Sequence, residues 1–134
     1  MSTDLLARLI DERAIERLLI DYVALNDAGQ WHAVAALYTA DGRLSRPSSP
    51  DVFIEGREAI LAAFLARPPR RARHIIANVR IDLDGDTARV TSQILLYTAG
   101  GGAPLVGGYA DRVVRSAEGW RFAERIGSLD FPGG

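Results

Sequence analysis

The sequence predicts an α+β domain in which three amphipathic helices pack on one face of a curved antiparallel sheet. Apolar residues recur at three- and four-residue steps in the first half of the chain and at every second residue later, and the change of period follows the helix-breaking pair Pro68-Pro69. Length is the other guide. With 134 residues, 48% of them hydrophobic and 25% charged, the chain suffices for one ordinary core and not for two. Residues 1–134 therefore read as a single domain with no internal repeat or linker.

Leu5, Leu6, Leu9 and Ile10, then Ile15, Leu18, Leu19, Tyr22 and Val23, mark the first helix, with Asp11 placed to cap a fresh start and Gly29 to stop it. Trp31, Val34, Ala35 and Tyr38 predict a second short helix closed by the turn Ala40-Asp41-Gly42. The two prolines of Arg46-Pro47-Ser48-Ser49-Pro50 give that segment loop composition. Ile60, Leu61, Phe64 and Leu65 mark a third helix. From His74 the alternation predicts a strand that ends at the hairpin turn Asp84-Gly85-Asp86, followed by strands over 88–98, 105–115 and 119–127.

Composition excludes several kinds of chemistry. There is no cysteine, which removes thiolate nucleophiles, disulfides and cysteine-ligated metal centres. All 16 basic residues are arginine, so a lysine Schiff base is excluded too. The net charge of -1 supplies no field to gather nucleic acid or an anionic membrane. No apolar run reaches the ~20 residues of a membrane helix, and the beginning lacks a signal-peptide pattern, so a cytoplasmic location is expected. Neither a metal nor a cofactor is expected.

Elimination leaves histidine as the natural general base near neutral pH. His32 follows Trp31 at the start of a short helix and reads as a solvated side chain, whereas His74 opens a strand, where pockets form beside helices. A half-buried imidazole bonded to backbone is the alternative for His74. Strict alternation also sets His74 with Asn78 and Arg80, opposite the face of Ile75, Val79 and Ile81, so a cavity on one face and a partner subunit on the other are needed to use both. Asp27 sits in the last turn of the first helix, where the dipole disfavours a carboxylate by ~0.3–1 kcal/mol. That placement suits either a partner for His74 or ordinary turn chemistry. Tyr22 offers a phenol to the same region, and Tyr109 and Asp111 share one face of the third strand, where a carboxylate must be paired or neutral. Arg67, Arg70, Arg71 and Arg73 form the densest charge cluster, read as a wet loop that favours the third helix's C-terminus rather than an anion site.

In order and spacing, Tyr22-Val23-Ala24-Leu25-Asn26-Asp27-Ala28-Gly29, Ala36-Leu37-Tyr38-Thr39-Ala40-Asp41-Gly42, His74 to Arg80, Gly108-Tyr109-Ala110-Asp111 and Gly119-Trp120-Arg121-Phe122 with Arg125 resemble the SnoaL-like branch of the nuclear transport factor 2-like superfamily. The resemblance spans nearly the whole chain and implies a cone-shaped antiparallel sheet, an α+β barrel closed by three helices around a pocket. It implies an Asp-His dyad at Asp27 and His74, as in scytalone dehydratases and hexachlorocyclohexane dehydrochlorinases. Dehydratases place further polar side chains near Thr98 and Tyr109, though the residue types here differ. Ketosteroid isomerases look similar through Tyr22 and Asp111, but their catalytic Asp falls near Arg46. The implied activity is a cofactor-independent lyase, or a related cyclase or isomerase, acting on a small apolar ring compound, in a homo-oligomer. The segment His74 to Arg80 and the ending Arg125-Ile126-Gly127-Ser128-Leu129-Asp130 also resemble the β subunit of aromatic-ring-hydroxylating dioxygenases, which implies a non-catalytic ligand-binding or assembly subunit instead.

Overall fold

A computed structural model describes residues 3–131. In chain order the elements are α1 (Thr3–Asp27), α2 (Trp31–Ala35), β1 (Tyr38–Arg46), β2 (Ser49–Glu55), α3 (Arg57–Leu65), β3 (Ala72–Asp84), β4 (Thr87–Thr98), β5 (Leu105–Ser116) and β6 (Gly119–Phe131). One six-stranded sheet has the order β2-β1-β6-β5-β4-β3 and packs against the helices, which is the α+β class expected.

The sheet is mixed and open, not wholly antiparallel and closed: β1 runs parallel to β6, while the other neighbours are antiparallel. The first two strands lie where the sequence suggested a helix end, a turn and a loop. Tyr38 opens β1 rather than ending α2, and the register of β1 against β6 slips between Tyr38 and Arg43, where Thr39, Asp41 and Gly42 obscure any period of two. Pro50 is tolerated in β2 because that strand is an edge of the sheet, where a missing N–H costs no ladder bond. α3 therefore follows two strands instead of preceding the sheet.

α1 is also continuous through Asp11, which caps nothing. Its carboxylate accepts from Arg115 Nη1 at 2.9 Å, Arg115 Nη2 at 2.8 Å and Trp120 Nε1 at 3.3 Å, tying the helix to β5 and β6. Before that anchor Leu5, Leu6, Leu9 and Ile10 are exposed. After it, Ile15, Leu18, Leu19 and Tyr22 enter a core shared with Val34, Tyr38, Leu44, Ile60, Phe64, Val90, Val113, Trp120 and Phe122. Each such apolar side chain contributes roughly 1.5–3 kcal/mol on burial.

A β-bulge decides which way His74 faces. Ala77 pairs with Gln93 but Arg80 pairs with Thr91, so β3 carries one residue more than β4 across that interval. Asn78 takes the left-handed backbone at φ 53°, a conformation asparagine tolerates better than most residues, and its amide donates to Gln93 Oε1. The extra residue inverts the alternation. His74 and Ile76 before the bulge therefore share the inner face with Val79, Ile81 and Leu83 beyond it, and Ile75 is turned outward. The grouping of Ile75 with Val79 and Ile81 expected from the sequence is thus replaced.

Candidate active site

α1 ends in a Schellman-type turn. Gly29 adopts φ 69°, Gln30 N–H donates to the Leu25 carbonyl at 2.9 Å and Gly29 N–H to that of Asn26 at 3.0 Å. This termination leaves Asp27 at the end of the helix, beside the first residues of β3. That strand is the far edge of the sheet, so its outward N–H groups need partners from elsewhere.

Asp27 supplies one. Its Oδ2 accepts from His74 N–H at 2.9 Å, and its Oδ1 lies 2.5 Å from His74 Nδ1. One carboxylate thus grips both the backbone and the ring of the same residue, and both side chains are largely buried. With an ionised Asp27 the bond requires the proton on Nδ1, which leaves the Nε2 lone pair available. Among the described residues none hydrogen-bonds to Nε2. Burial pushes the His74 pKa below that of a free imidazole, as do the nearby Arg70 and Arg67 cations, against the opposing pull of Asp27. That direction favours the neutral ring over the imidazolium.

His74 lines a cavity of about 140 Å³ with Tyr22, Tyr109 and Phe64, the aliphatic Leu44, Ile94, Leu96 and Leu105, and the polar Asn26, Arg46, Arg67 and Arg70. An apolar protein cavity of about 150 Å³ is enough for benzene. A wider groove of about 580 Å³, bounded by Trp31, Leu65 and Pro68-Pro69, shares Asn26, Arg67 and Arg70 with the cavity and also touches Asp27. No three His, Asp or Glu side chains among the described residues stand together as a metal site.

The remaining sequence candidates divide. Tyr22 and Tyr109 do line the cavity. Tyr22 shares a 2.7 Å hydrogen bond with the Tyr38 hydroxyl, while no hydrogen bond within the chain engages the Tyr109 hydroxyl among the described residues. Burial raises the pKa of both phenols, so they act as neutral donors. Asp111 does not reach the cavity. It is fully buried and paired side-on with Arg125, at 2.8 Å to Nε and 3.1 Å to Nη2, in the core behind Tyr22 and Tyr109. Burial pushes the Asp111 carboxyl up, and Arg125 pulls it back. Thr98 lies exposed at the end of β4, on a shallow surface groove outside the cavity. Sequence reasoning missed the cavity roles of Asn26 and Arg46 and took Arg67 and Arg70 for a solvated cluster. The arginine density after α3 was a usable signal; for Arg46, in an apparent loop, the one signal was that the catalytic Asp of ketosteroid isomerases falls near it.

Gly127 sets the position of Arg46. β6 passes so close to the β1–β2 turn that a Cβ at Gly127 would meet the Arg46 carbonyl carbon at 2.6 Å, so only glycine lets the turn fold over the cavity.

A family model for a SnoaL-like domain matches residues 7–126. Among solved structures, a candidate scytalone dehydratase from Novosphingobium aromaticivorans is 27% identical, with 92% of this chain and 87% of that one covered and a TM-score of 0.81. An NTF2-like protein with a cystatin-like fold from the same organism is 24% identical over 97% and 90% of the two chains, with a TM-score of 0.84. A type 2 hexachlorocyclohexane dehydrochlorinase is 19% identical over 94% and 89%, with a TM-score of 0.79. The last two likenesses concern the fold. No curated protein matches the chain in sequence.

Proposed function

The chain belongs to the SnoaL-like domain family, and from that premise we propose that it is a cofactor-independent lyase of dehydratase or dehydrohalogenase type that acts on a small ring compound. One observation carries the reading: His74 is held through Nδ1 by Asp27, with Nε2 unpartnered among the described residues, on a residue that lines a cavity of one-ring size. The candidate dehydratase among the structural neighbours supports the same reaction class.

In this reading Nε2 removes a proton from the ring carbon next to the one bearing hydroxyl or halide. The C–H electron pair becomes the new C=C bond as the leaving group departs with its own pair. A departing hydroxide collects the imidazolium proton and leaves as water; after halide loss that proton passes to solvent. Asp27 keeps the required tautomer and offsets the imidazolium charge. Tyr109 donates a hydrogen bond where negative charge develops. If the first step stalls, the same base performs isomerisation or ring closure, so the test must detect proton abstraction itself. Incubation of cyclic β-hydroxy and β-halo ketones in heavy water, followed by mass spectrometry, is expected to show deuterium uptake or a new C=C bond. A panel that gives neither, with protein shown to bind its members, would favour the non-catalytic subunit.

The pH dependence follows from the neutral imidazole. A base works when deprotonated, so kcat/KM is expected to fall as pH drops through the His74 pKa, which burial holds below the ~6.5 of a free imidazole. A profile whose acidic limb lies above neutrality would remove His74 as the base.

We further propose a two-fold homodimer through the outer face of the sheet. Cross-strand register aligns Ile75, Leu95, Val106 and Phe131 on four adjacent strands, and Ile75 and Phe131 are 47% and 65% exposed. Such a row suits a self-complementary contact. Light scattering that finds a monomer at micromolar concentration would refute it.

A further inference from the structure

The cavity carries more positive charge than its chemistry needs. Arg46, Arg67 and Arg70 all line it, and none of the three takes part in an ion pair among the described residues. Among the described residues the cavity lining contains no carboxylate, and the adjacent Asp27 is committed to His74. The guanidiniums also feel one another: burial lowers the Arg67 pKa, and so do the Arg46 and Arg70 charges.

Arg46 is the least satisfied of them. Its Nε and Nη2 are buried and have no hydrogen-bond partner among the described residues. A buried donor without an acceptor is uncommon in native proteins, and a charged one is costlier than a neutral one. Elsewhere in this chain the matching edge of a guanidinium is satisfied: Arg125 places its Nε and Nη2 on the two oxygens of Asp111. Arg46 carries the same pair of donors, occluded and without a carboxylate among the described residues, so a ligand in the cavity meets them as the guanidinium turns toward it.

We infer that the ligand of this cavity is a ring compound bearing a carboxylate, which pairs with Arg46 and is further neutralised by Arg67 and Arg70. This deepens the proposal above, because it names the substrate class of the same cavity. The aliphatic wall of Leu44, Ile94, Leu96 and Leu105 takes the ring, and the arginines take the charge. A side-on carboxylate–arginine pair fixes direction as well as supplying energy. It therefore orients a ring C–H toward His74 in a cavity whose walls are otherwise largely non-directional.

The experiment is a binding comparison that needs no turnover. Benzoate and cyclohexanecarboxylate are titrated by NMR against their uncharged carboxamides. The acids are expected to bind at least about tenfold more tightly, a difference of ~1.4 kcal/mol. Arg46→Gln is expected to remove that preference by weakening the acids far more than the carboxamides, and Arg46→Lys to restore only part of it, because an ammonium lacks the planar fork. Bound acid is also expected to raise the His74 pKa by offsetting the Arg67 and Arg70 charges, and the carboxamide is not. With His32 the only other histidine, the imidazole signals are readily assigned. Equal binding of acid and carboxamide, no binding of either acid at millimolar concentration, or a preference that survives Arg46→Gln in a folded protein would each overturn the inference. His74→Ala should retain the acid preference. A failed catalytic reading thus leaves this result standing, and a failed charge preference leaves His74 chemistry to be judged on its own.

Discussion

His74→Ala is expected to lower turnover by about 10²–10⁴-fold, the range a positioned general base contributes. Asp27→Asn should lose nearly as much, and the bonding pattern gives the reason. Asp27 Oδ2 accepts the His74 backbone N–H while Oδ1 meets the ring. An amide in its place keeps its oxygen on the N–H donor and turns its NH2 toward Nδ1, which stabilises the tautomer with the proton on Nε2. The base is then blocked although the geometry survives. Because the two residues act as one unit, the double variant should resemble His74→Ala alone. Melting curves must accompany the kinetics, since a partner left unpaired costs about 1–3 kcal/mol of stability and imitates a catalytic defect. Additive losses would show two independent roles. A folded His74→Ala protein with full activity would remove histidine from the mechanism.

Asp111→Ala is expected to destabilise the fold by about 3–5 kcal/mol, because it leaves the Arg125 charge buried and unpaired. Arg125 is 1% exposed, and its guanidinium lies 4.4 Å, 4.0 Å and 4.3 Å from the ring centroids of Tyr22, Tyr109 and Phe122. Those rings soften the loss through cation–π attraction but offer no acceptor. A domain typically has only about 5–15 kcal/mol in total, so the urea midpoint should fall steeply. Replacing both partners together, Asp111→Leu with Arg125→Met, should recover most of the loss, since the cost lies in the unpaired charge and not in the missing bond. The same variants separate structure from chemistry. If Asp111→Asn lowers turnover while its denaturation midpoint is unchanged, Asp111 acts on substrate despite lying behind the cavity wall. A loss below about 1 kcal/mol in Asp111→Ala would show that the variant does not leave the Arg125 charge buried and unpaired.

Much of this organisation was legible in the residues, and the limits have particular causes. Helix periodicity located α1 and α3, since Ile15, Leu18, Leu19 and Tyr22, and likewise Ile60 and Phe64, do enter the core. It missed β1 and β2, where Gly42 and Pro50 imitate turn chemistry and pairing with β6 supplies the order. Asp27 and His74 were chosen by elimination and by family resemblance, not by geometry. Alternation in fact argued against His74, and the extra residue at Asn78 overturns that argument. Asp111, expected to be paired or neutral and to serve the cavity, is paired with Arg125 in the core, and that pairing keeps it out of the cavity lining.

What the sequence determined by itself is the class of fold and the short inventory of chemistry. With no cysteine, no lysine and two histidines, few side chains were left to choose among. These are local and compositional properties, which each residue carries wherever the chain goes. Which residues meet was decided only by the tertiary structure: Asp27 against His74 across 47 positions, Arg125 against Asp111, and Arg46 without a carboxylate beside a cavity. Such meetings depend on strand register, and a single bulged residue exchanges the two faces of a strand without changing its hydrophobic composition.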